Sequence, residues 1–120
     1  MDVSSPAMDL LARADGALLR TRLTAIRYAA EGIHSYEFSP LEGGALPAFA
    51  AGAHVDLHLP NGLVRQYSLC NDPRETHRYV VGIKKDPKSR GGSSYVHDQL
   101  KVGAVVSLGA LGLSAFWLVA

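Results

Sequence analysis

The fold of this sequence is constrained most by a succession of short alternating segments, each of which ends in a cluster of turn residues. The clearest segment is His54–Leu59, where apolar and polar side chains alternate strictly and would lie on opposite faces of a strand. Pro60–Gly62 follows, and its Asn-Gly pair suits a tight turn with positive φ. We therefore expect Leu63–Cys70 to return as the antiparallel neighbour of this strand.

Similar patterns predict four more strands and one helix. Each strand is a short run of alternating or apolar residues bounded by glycine, proline, asparagine or aspartate. The predicted strands are Leu19–Tyr28, Ile33–Phe38, Arg78–Lys85 and Ala104–Leu108, and the predicted helix is Ser93–Leu100. Six short strands with turns between them and one short helix indicate an all-β fold, a six-stranded antiparallel barrel.

Length and composition exclude several classes of protein. A chain of 120 residues is long enough for one domain. Its hydrophobic fraction of 48% and net charge of +1 argue against disorder and against nucleic-acid binding. The single cysteine, Cys70, excludes an internal disulfide, an all-cysteine zinc site and an iron–sulfur cluster. The first residues contain no basic stretch followed by an apolar run, so we expect no secretory signal and a soluble, cytoplasmic domain.

We expect three regions along the chain. Residues 1–16 show no clear pattern and are interpreted as a mobile leader, with a helical turn around Met8–Ala14. Residues 17–108 form the barrel, and residues 109–120 form an apolar tail. Val102–Ala120 is 19 residues without a charge, just enough to span a bilayer. Its glycines, and the fit of its first half to a buried barrel strand, argue against a membrane segment.

Several histidines suggest other chemistry but have simpler interpretations. His54 and His58 share a strand face with Asp56, but they lack a third ligand at fixed spacing. We therefore expect no metal site there, and interpret this face as the solvated side of an edge-facing strand. No third group orients Ser93 and His97 for nucleophilic catalysis, so we expect no catalytic residue and place His97 on the helix surface.

The loop Lys88–Ser94 is one segment with the features of a ligand site. Its Gly91-Gly92 pair permits a close approach of a ligand to the main chain. A helix beginning at the serines would direct free N–H groups and the positive end of its dipole to the loop. Arg90 would add a planar cation suited to phosphate oxygens. These features describe a phosphate cradle, although a flexible loop before a serine-capped helix is the simpler interpretation of this segment alone.

The end of a predicted strand, Arg65–Cys70, is the other such segment. Tyr67 offers a flat aromatic face, and Ser68 offers a small hydrogen-bond donor and acceptor. Arg65 places a cation on the same strand face as Tyr67. A planar, phosphorylated cofactor needs such a set of groups. Taken alone, a surface tyrosine–arginine pair on an ordinary strand is the simpler interpretation.

The two segments together resemble the flavin-binding domain of the phthalate dioxygenase reductase and vanillate demethylase reductase family, part of the ferredoxin–NADP reductase-like flavoproteins. The resemblance extends from about Leu19 to Leu108. Its blocks, in order, are Phe49–His54, Pro60–Gly62, Arg65–Asp72, Arg78–Lys84 and Arg90–Ser93. It implies a six-stranded Greek-key barrel with FMN bound at its rim. FMN is favoured over FAD because the glycine loop suits a terminal phosphate and offers no adenine platform.

The resemblance also implies a role for each site residue. Tyr67 would pack on the isoalloxazine ring, and Ser68 would form a hydrogen bond near its N5 atom. Since alternation sends these two side chains to opposite faces, the ring edge must meet the strand where it twists or ends. The other implied contacts are Arg65 and Gln66 at the ribityl phosphate, Gly82, Ile83 and Lys84 along the ring and ribityl chain, and Arg90, Gly91, Gly92 and Ser93 around the phosphate.

In the family, NAD(P)H reduces the flavin, which passes single electrons to a 2Fe-2S cluster that serves an oxygenase. This sequence has no nicotinamide-binding glycine motif and no four-cysteine motif, and Gly109–Ser114 stands where the family has Pro-Arg-Asn-x-Phe. We therefore interpret residues 109–120 as a truncated or aberrant start of a missing nicotinamide domain, and expect no NADH turnover by this chain alone. An oxygenase component, or a separate chain with the missing domains, is the expected partner. The alternative is a non-catalytic barrel that has lost its cofactor and serves as an interaction module.

Overall fold

The computed structural model describes residues 18–86 and 91–109, which form six strands and one short helix. The elements are β1 (Leu18–Ala30), β2 (Ile33–Pro40), β3 (His54–His58), β4 (Val64–Ser68), β5 (Tyr79–Lys84), α1 (Gly92–Gln99) and β6 (Val105–Gly109). The predicted all-β class with one short helix is confirmed, and the predicted ends differ only slightly from the observed ones. The leader with its helical turn at Met8–Ala14, and the tail beyond Gly109, lie outside the described residues.

The strands form one antiparallel sheet in the order β4-β3-β6-β1-β2-β5. β1 and β2 pair as sequence neighbours, as do β3 and β4, but β6 lies between β3 and β1, so these two hairpins are joined through the last strand, as in a Greek-key arrangement. β4 and β5 are the two ends of this order. Among the described residues one isolated bridge, between Leu69 and Val81, joins the chain just past β4 to β5. The sheet therefore has the predicted barrel topology, but its hydrogen-bonded ladder does not close.

The inward faces of the strands supply the hydrophobic core. β1 buries Leu19, Thr21 and Leu23 at alternate positions, as a half-buried strand must. The hydroxyl of Thr21 is satisfied, because its Oγ1 donates a 2.8 Å hydrogen bond to a carbonyl oxygen of β6. The loop before β3 also enters the core, where Phe49 packs edge-to-face on Tyr79 with ring centroids 5.5 Å apart. Both halves of the sheet thus share one apolar interior.

The β3–β4 hairpin has the register that its alternation predicts. Val55 lies opposite Tyr67, and the two strands pair along their whole length. Gly62 closes the turn at φ 92°, a conformation that glycine adopts without strain, and its N–H donates to the carbonyl oxygen of Leu59 at 2.9 Å. The side chain of Asn61 accepts the next N–H of the turn at 3.1 Å. The predicted turn and return strand are therefore confirmed.

The prediction that β3 faces an edge of the sheet is wrong. β3 lies between β4 and β6, so strands flank it on both sides. Its polar side chains are half-buried, and a Cβ added to Gly109 of β6 would lie 3.2 Å from Cβ of Asp56 and 3.3 Å from Nε2 of His58. Alternation shows which face of a strand is polar, but it does not show which strands lie alongside.

The helix α1 packs its inner side into the core, where Val96 and the C-cap residue Leu100 are buried. Its N-cap residue is Gly91 at φ 87°. Within residues 18–86 and 91–109, no side chain forms a capping hydrogen bond with the start of this helix. The interpretation of a serine-capped helix is therefore wrong. The Oγ atom of Ser93 instead accepts the N–H of Asp86 at 2.9 Å. Within the described part of the chain, no helix has the length and apolar character needed to cross a bilayer.

Glu37 of β2 connects three strands on the outer surface of the sheet. Arg27 of β1 and Arg78, which precedes β5, each place Nη1 2.9 Å from Oε1 of Glu37. Only 16% of the Glu37 side chain is exposed. Burial by itself would raise the pKa of this carboxyl, but the hydrogen bonds and charges of the two arginines outweigh burial and hold the pKa below its ordinary value of 4.5.

Glu37→Gln should remove a pH-dependent part of the stability. A carboxyl whose pKa is lowered by folding stabilises the fold above its unfolded pKa, and this contribution is lost as the pH falls through the folded pKa. At pH near 7 we expect urea unfolding to show a loss on the order of 1 kcal/mol relative to wild type. The difference should shrink as the pH falls below 4.5, the ordinary pKa.

Glu42→Gln is the matched control, because Glu42 is exposed and lies 3.9 Å from Arg20. Such exposed pairs contribute little, so this variant should follow the wild type at every pH. A loss of stability in Glu37→Gln that is the same at neutral and acidic pH would contradict the role given to the two arginines.

Candidate functional site

The two segments that the sequence predicts to bind one ligand meet in the structure. A Cβ added to Gly92, the first residue of α1, would lie 2.7 Å from Nε and 2.8 Å from Cγ of Arg65 in β4. Gly91 lies beside the residue that precedes this strand, where its added Cβ would be 3.5 Å from Cδ1 of Leu63. Because real Cβ atoms do not approach other atoms as closely as 2.7 Å, this contact requires glycine at position 92. It places a guanidinium at the amino-terminal end of a helix.

The side chains of β4 alternate as strand geometry requires. Arg65 and Tyr67 are half-buried on one face, and Gln66 and Ser68 are exposed on the other. Tyr67 packs against the hydrophobic core. The strand ends at Ser68, so the two side chains expected to contact one ring do lie on opposite faces at the end of a strand.

Gln66 does not lie with the glycines. Its Nε2 atom donates a 3.3 Å hydrogen bond to Oδ1 of Asp56 in β3. This places Gln66 on the face of β4 opposite to Arg65, which is the residue in contact with Gly92. The structure therefore brings Arg65, and not Gln66, to the start of α1.

β5 presents Gly82 and Lys84 on its outer face and Ile83 on its inner face. The Ile83 side chain is 1% exposed, so only the main chain of this residue is accessible to a ligand. A Cβ added to Gly82 would meet no atom within 4 Å, which shows open space above this residue. The three predicted residues of β5 are therefore divided between the core and the surface.

The start of α1 has the electrostatic character of an anion site. The first intrahelical hydrogen bond runs from the N–H of Tyr95 to the carbonyl oxygen of Gly91 at 3.2 Å. The three amides between them precede this bond, at the positive end of the helix dipole. Arg65 adds its charge to these groups, while Ser93 is buried among them. Arg90, the predicted cation of the loop, lies outside the described residues.

Tyr67 is an uncharged phenol at neutral pH. Burial raises its pKa, and the nearby guanidinium of Arg65 only partly opposes this effect. Burial, with smaller contributions from Tyr67 and Asp98, raises the pKa of Tyr36 to about 12. Tyr67 therefore offers a neutral aromatic face beside a permanent cation, which is the combination expected where an aromatic ring with an anionic tail binds.

The prediction that His97 lies on the helix surface is wrong. His97 is half-buried, and its Nε2 donates a 2.7 Å hydrogen bond to the carbonyl oxygen of Ile83, an atom that only accepts. Its ring stacks on His34 at a centroid distance of 4.5 Å. This bond holds α1 to β5, as the contact at Gly92 holds it to β4. Adjacency to the buried Val96 gives no signal of this, because successive residues of a helix point to different sides.

Two other kinds of site find no support in the structure. In residues 18–86 and 91–109, no group of three or more histidine, cysteine, aspartate or glutamate residues has the arrangement of a metal site. Cys70 is an exposed residue, but partial shielding of its thiol from water raises the pKa of this group, and the charge of Arg78 only partly opposes the effect. A thiol with a raised pKa is a poor nucleophile.

The chain is similar in sequence to curated proteins that are much longer. It is 50% identical over 91 residues to vanillate O-demethylase oxidoreductase of Pseudomonas sp. (strain HR199 / DSM 7063), which covers 76% of this chain and 29% of that protein. It is 46% identical over 98 residues to phenoxybenzoate dioxygenase subunit beta of Ectopseudomonas oleovorans, with coverage of 81% and 30%. The chain thus spans less than a third of these relatives. A scan against protein-family models finds no match.

The fold is also found in a solved structure of phthalate dioxygenase reductase, described as a modular structure for electron transfer from pyridine nucleotides to 2Fe-2S. The TM-score is 0.75 and the sequence identity is 37%, over 81% of this chain and 30% of that chain. The barrel predicted from the sequence is therefore the fold of a known protein of similar sequence.

Gly92→Ala should displace Arg65 and destabilise the fold. Its Cβ would lie 2.8 Å from Cγ of Arg65, close to the root of that side chain, so the whole side chain must move. We expect thermal or urea unfolding to show a loss of about 1–3 kcal/mol, as at other overpacked sites. Gly82→Ala is the control, because its Cβ meets no atom within 4 Å and stability should not fall. Equal stability of Gly92→Ala and wild type would contradict the close contact.

Proposed function

Because the chain belongs to the phthalate dioxygenase reductase and vanillate demethylase reductase family, we propose that it is the FMN-binding domain of an oxidoreductase. The complete system would pass electrons from NAD(P)H through the flavin to an iron–sulfur centre of an aromatic-ring oxygenase or demethylase. The observation that most supports the proposal is the contact between Gly92 and Arg65, because it brings a helix amino terminus and a cation to the strand that contains Tyr67.

The phosphate of FMN would bind at the start of α1. The amides that follow Gly91 and the positive end of the helix favour an anion. Arg65 would add charge-assisted hydrogen bonds to the phosphate oxygens. Its Nη1 also donates to the carbonyl oxygen of Val64 at 2.9 Å, which orients the guanidinium beside the glycines. Ser93 and, from the sequence, Arg90 would complete the proposed phosphate site, and Gln66 would instead hold β4 against β3.

The isoalloxazine ring would lie along the ends of β4 and β5. Tyr67 would provide the aromatic contact, and Ser68, at the end of its strand, a hydrogen bond near N5. The open space at Gly82 would let the ring approach the main chain of β5, with the Ile83 backbone and Lys84 beside the ribityl chain. Bound FMN supplies the conversion between two-electron and one-electron transfer, and these residues bind and orient it.

FMN is proposed rather than FAD because of the Gly91-Gly92 segment at the start of α1. The glycines at the start of α1 fit a terminal phosphate. Tyr95, an aromatic residue in the first turn of α1, is half-buried against the hydrophobic core and so is not a fully exposed platform for an adenine ring. We assign the nicotinamide and 2Fe-2S sites to other segments or chains of the system, with an oxygenase component as the final partner.

A titration with FMN tests the proposal. The wild-type chain should bind FMN with quenching of flavin fluorescence, and at about 100 times the dissociation constant the flavin should add roughly 2.7 kcal/mol to the stability. Arg65→Ala should raise the dissociation constant by about tenfold or more, because one charge-assisted hydrogen bond contributes about 1.5–3 kcal/mol. Tyr67→Ala should raise it by up to about tenfold, because an aromatic contact contributes about 0.5–1.5 kcal/mol beyond its buried area. His58→Ala is the control, since His58 lies on the face of the β3–β4 hairpin opposite to that of Arg65 and Tyr67.

The possible outcomes separate the candidate functions. A colourless chain whose melting temperature does not respond to FMN would contradict the proposal and favour the non-catalytic interaction module. Tighter binding of FAD than of FMN would correct the cofactor and leave the site in place. Equal losses of affinity in Tyr67→Ala and His58→Ala would contradict the assignment of Tyr67 to the ring.

A further inference from the structure

The seam between β4 and β5, the two ends of the sheet, has no ladder among the described residues and is joined by a few contacts at one end. The backbone ladders of the described residues pair β4 with β3 and β5 with β2. Just past the end of β4, Leu69 forms an isolated bridge with Val81. The N–H of Cys70 then donates to the carbonyl oxygen of Val80 at 2.8 Å. The described part of the seam is thus joined at one end, immediately after Ser68.

The side chain of Asn71 continues this seam. Its Oδ1 accepts the N–H of Val80 at 2.9 Å, and its Nδ2 donates to the carbonyl oxygen of Arg78 at 3.0 Å. Nδ2 also donates to Oε1 of Glu75 at 3.0 Å. The amide therefore pairs with a backbone N–H and a backbone carbonyl as a neighbouring strand would. One donor and two acceptors surround it, which requires a side chain with both an acceptor oxygen and donor hydrogens.

Charged contacts hold this amide in place. The guanidinium of Arg78 lies 3.2 Å from Oε2 of Glu75 and 2.9 Å from Oε1 of Glu37 in β2. Hydrogen bonds from Asn71 and Arg78 hold the pKa of Glu75 below its usual value, so Glu75 is a carboxylate at neutral pH. A continuous set of contacts thus runs from Asn71 through Glu75 and Arg78 to Glu37 in β2, the strand that pairs with β5.

Asn71 lies close in sequence to the proposed ring contacts of β4, and its hydrogen-bond partner Val80 lies close to those of β5. Ser68 precedes it by three residues, and Gly82 follows its partner Val80 by two. From the joined end of the seam, β4 and β5 lead to Tyr67 and Gly82 without a described ladder between them. The distance between the β4 and β5 groups that would contact the ring therefore depends on the contacts that join the two strands at this end.

We propose that Asn71 is a positioning residue that sets the separation of Tyr67 and Ser68 from the Gly82–Lys84 main chain, and thereby the environment of the flavin ring. This inference rests on the proposed function. Asn71 acts through the strands and does not itself contact the flavin.

Asn71→Asp is the appropriate variant, because it has nearly the same shape and keeps the acceptor for Val80. It removes both donors and places a carboxylate next to the Arg78 carbonyl and the Glu75 carboxylate. Asn61→Asp is the matched control, since the hydrogen bond described for Asn61 uses its Oδ1 as acceptor, which aspartate retains. Each purified chain is saturated with FMN, and the visible spectrum, the midpoint potential and the dissociation constant are measured.

We expect Asn71→Asp to shift the flavin absorption bands and the midpoint potential at full saturation, and to raise the dissociation constant about tenfold. Asn61→Asp should match the wild type in all three measurements. A purely structural role would lower the melting temperature and leave the spectrum and potential of the saturated protein unchanged. If Asn71→Asp does not fold, Asn71→Ala, which removes the amide without adding a charge or a new donor, replaces it.

Two results would overturn the inference, and they are distinguishable. If the wild type binds FMN and the saturated Asn71 variant has the wild-type spectrum and potential, Asn71 does not position the ring and the proposed function stands. If the wild type does not bind FMN, the proposed function and this inference both fail.

Discussion

The close contact between the backbone of Gly92 and the side chain of Arg65 is the constraint on which the site depends. It requires a residue without a Cβ at the first position of α1, and it places a fixed cation where the helix dipole is positive. The hydrogen bond from His97 to the Ile83 carbonyl then holds the same helix to β5. α1 is thus attached to both ends of the sheet.

These attachments explain how a small barrel keeps the residues of β4, β5 and α1 in fixed relative positions. The core fixes β4 through the buried side of Tyr67, and β5 through Ile83. Because the ladder between these strands does not close, side chains complete the connection, with Asn71 at one end and α1 at the other. A site placed on strands and a helix that are held in this way keeps its residues in position better than one built on free loops.

Much of this arrangement was accessible from the sequence because it follows from local rules. Strict alternation indicated the faces of β3 and β4, and the Asn-Gly pair indicated the turn at Gly62. The glycine pair predicted the close approach of a ligand to the main chain, whereas the group that approaches Gly92 in the structure is the side chain of Arg65. The neighbours of β3, the inward side of His97 and the bonds of Asn71 were not accessible. Each depends on residues distant in sequence, and neither alternation nor turn propensity reports such contacts.

The most direct test of the account compares FMN with riboflavin, which lacks the phosphate, in a titration of the isotope-labelled chain followed by nuclear magnetic resonance. The account predicts that the backbone amide signals of Gly92 and Ser93 shift with FMN and stay in place with riboflavin. The signals of Tyr67 and Ser68 should shift with both ligands. If FMN leaves Gly92 and Ser93 unchanged, or moves only signals remote from Arg65, the helix start is not the phosphate site and the account is contradicted.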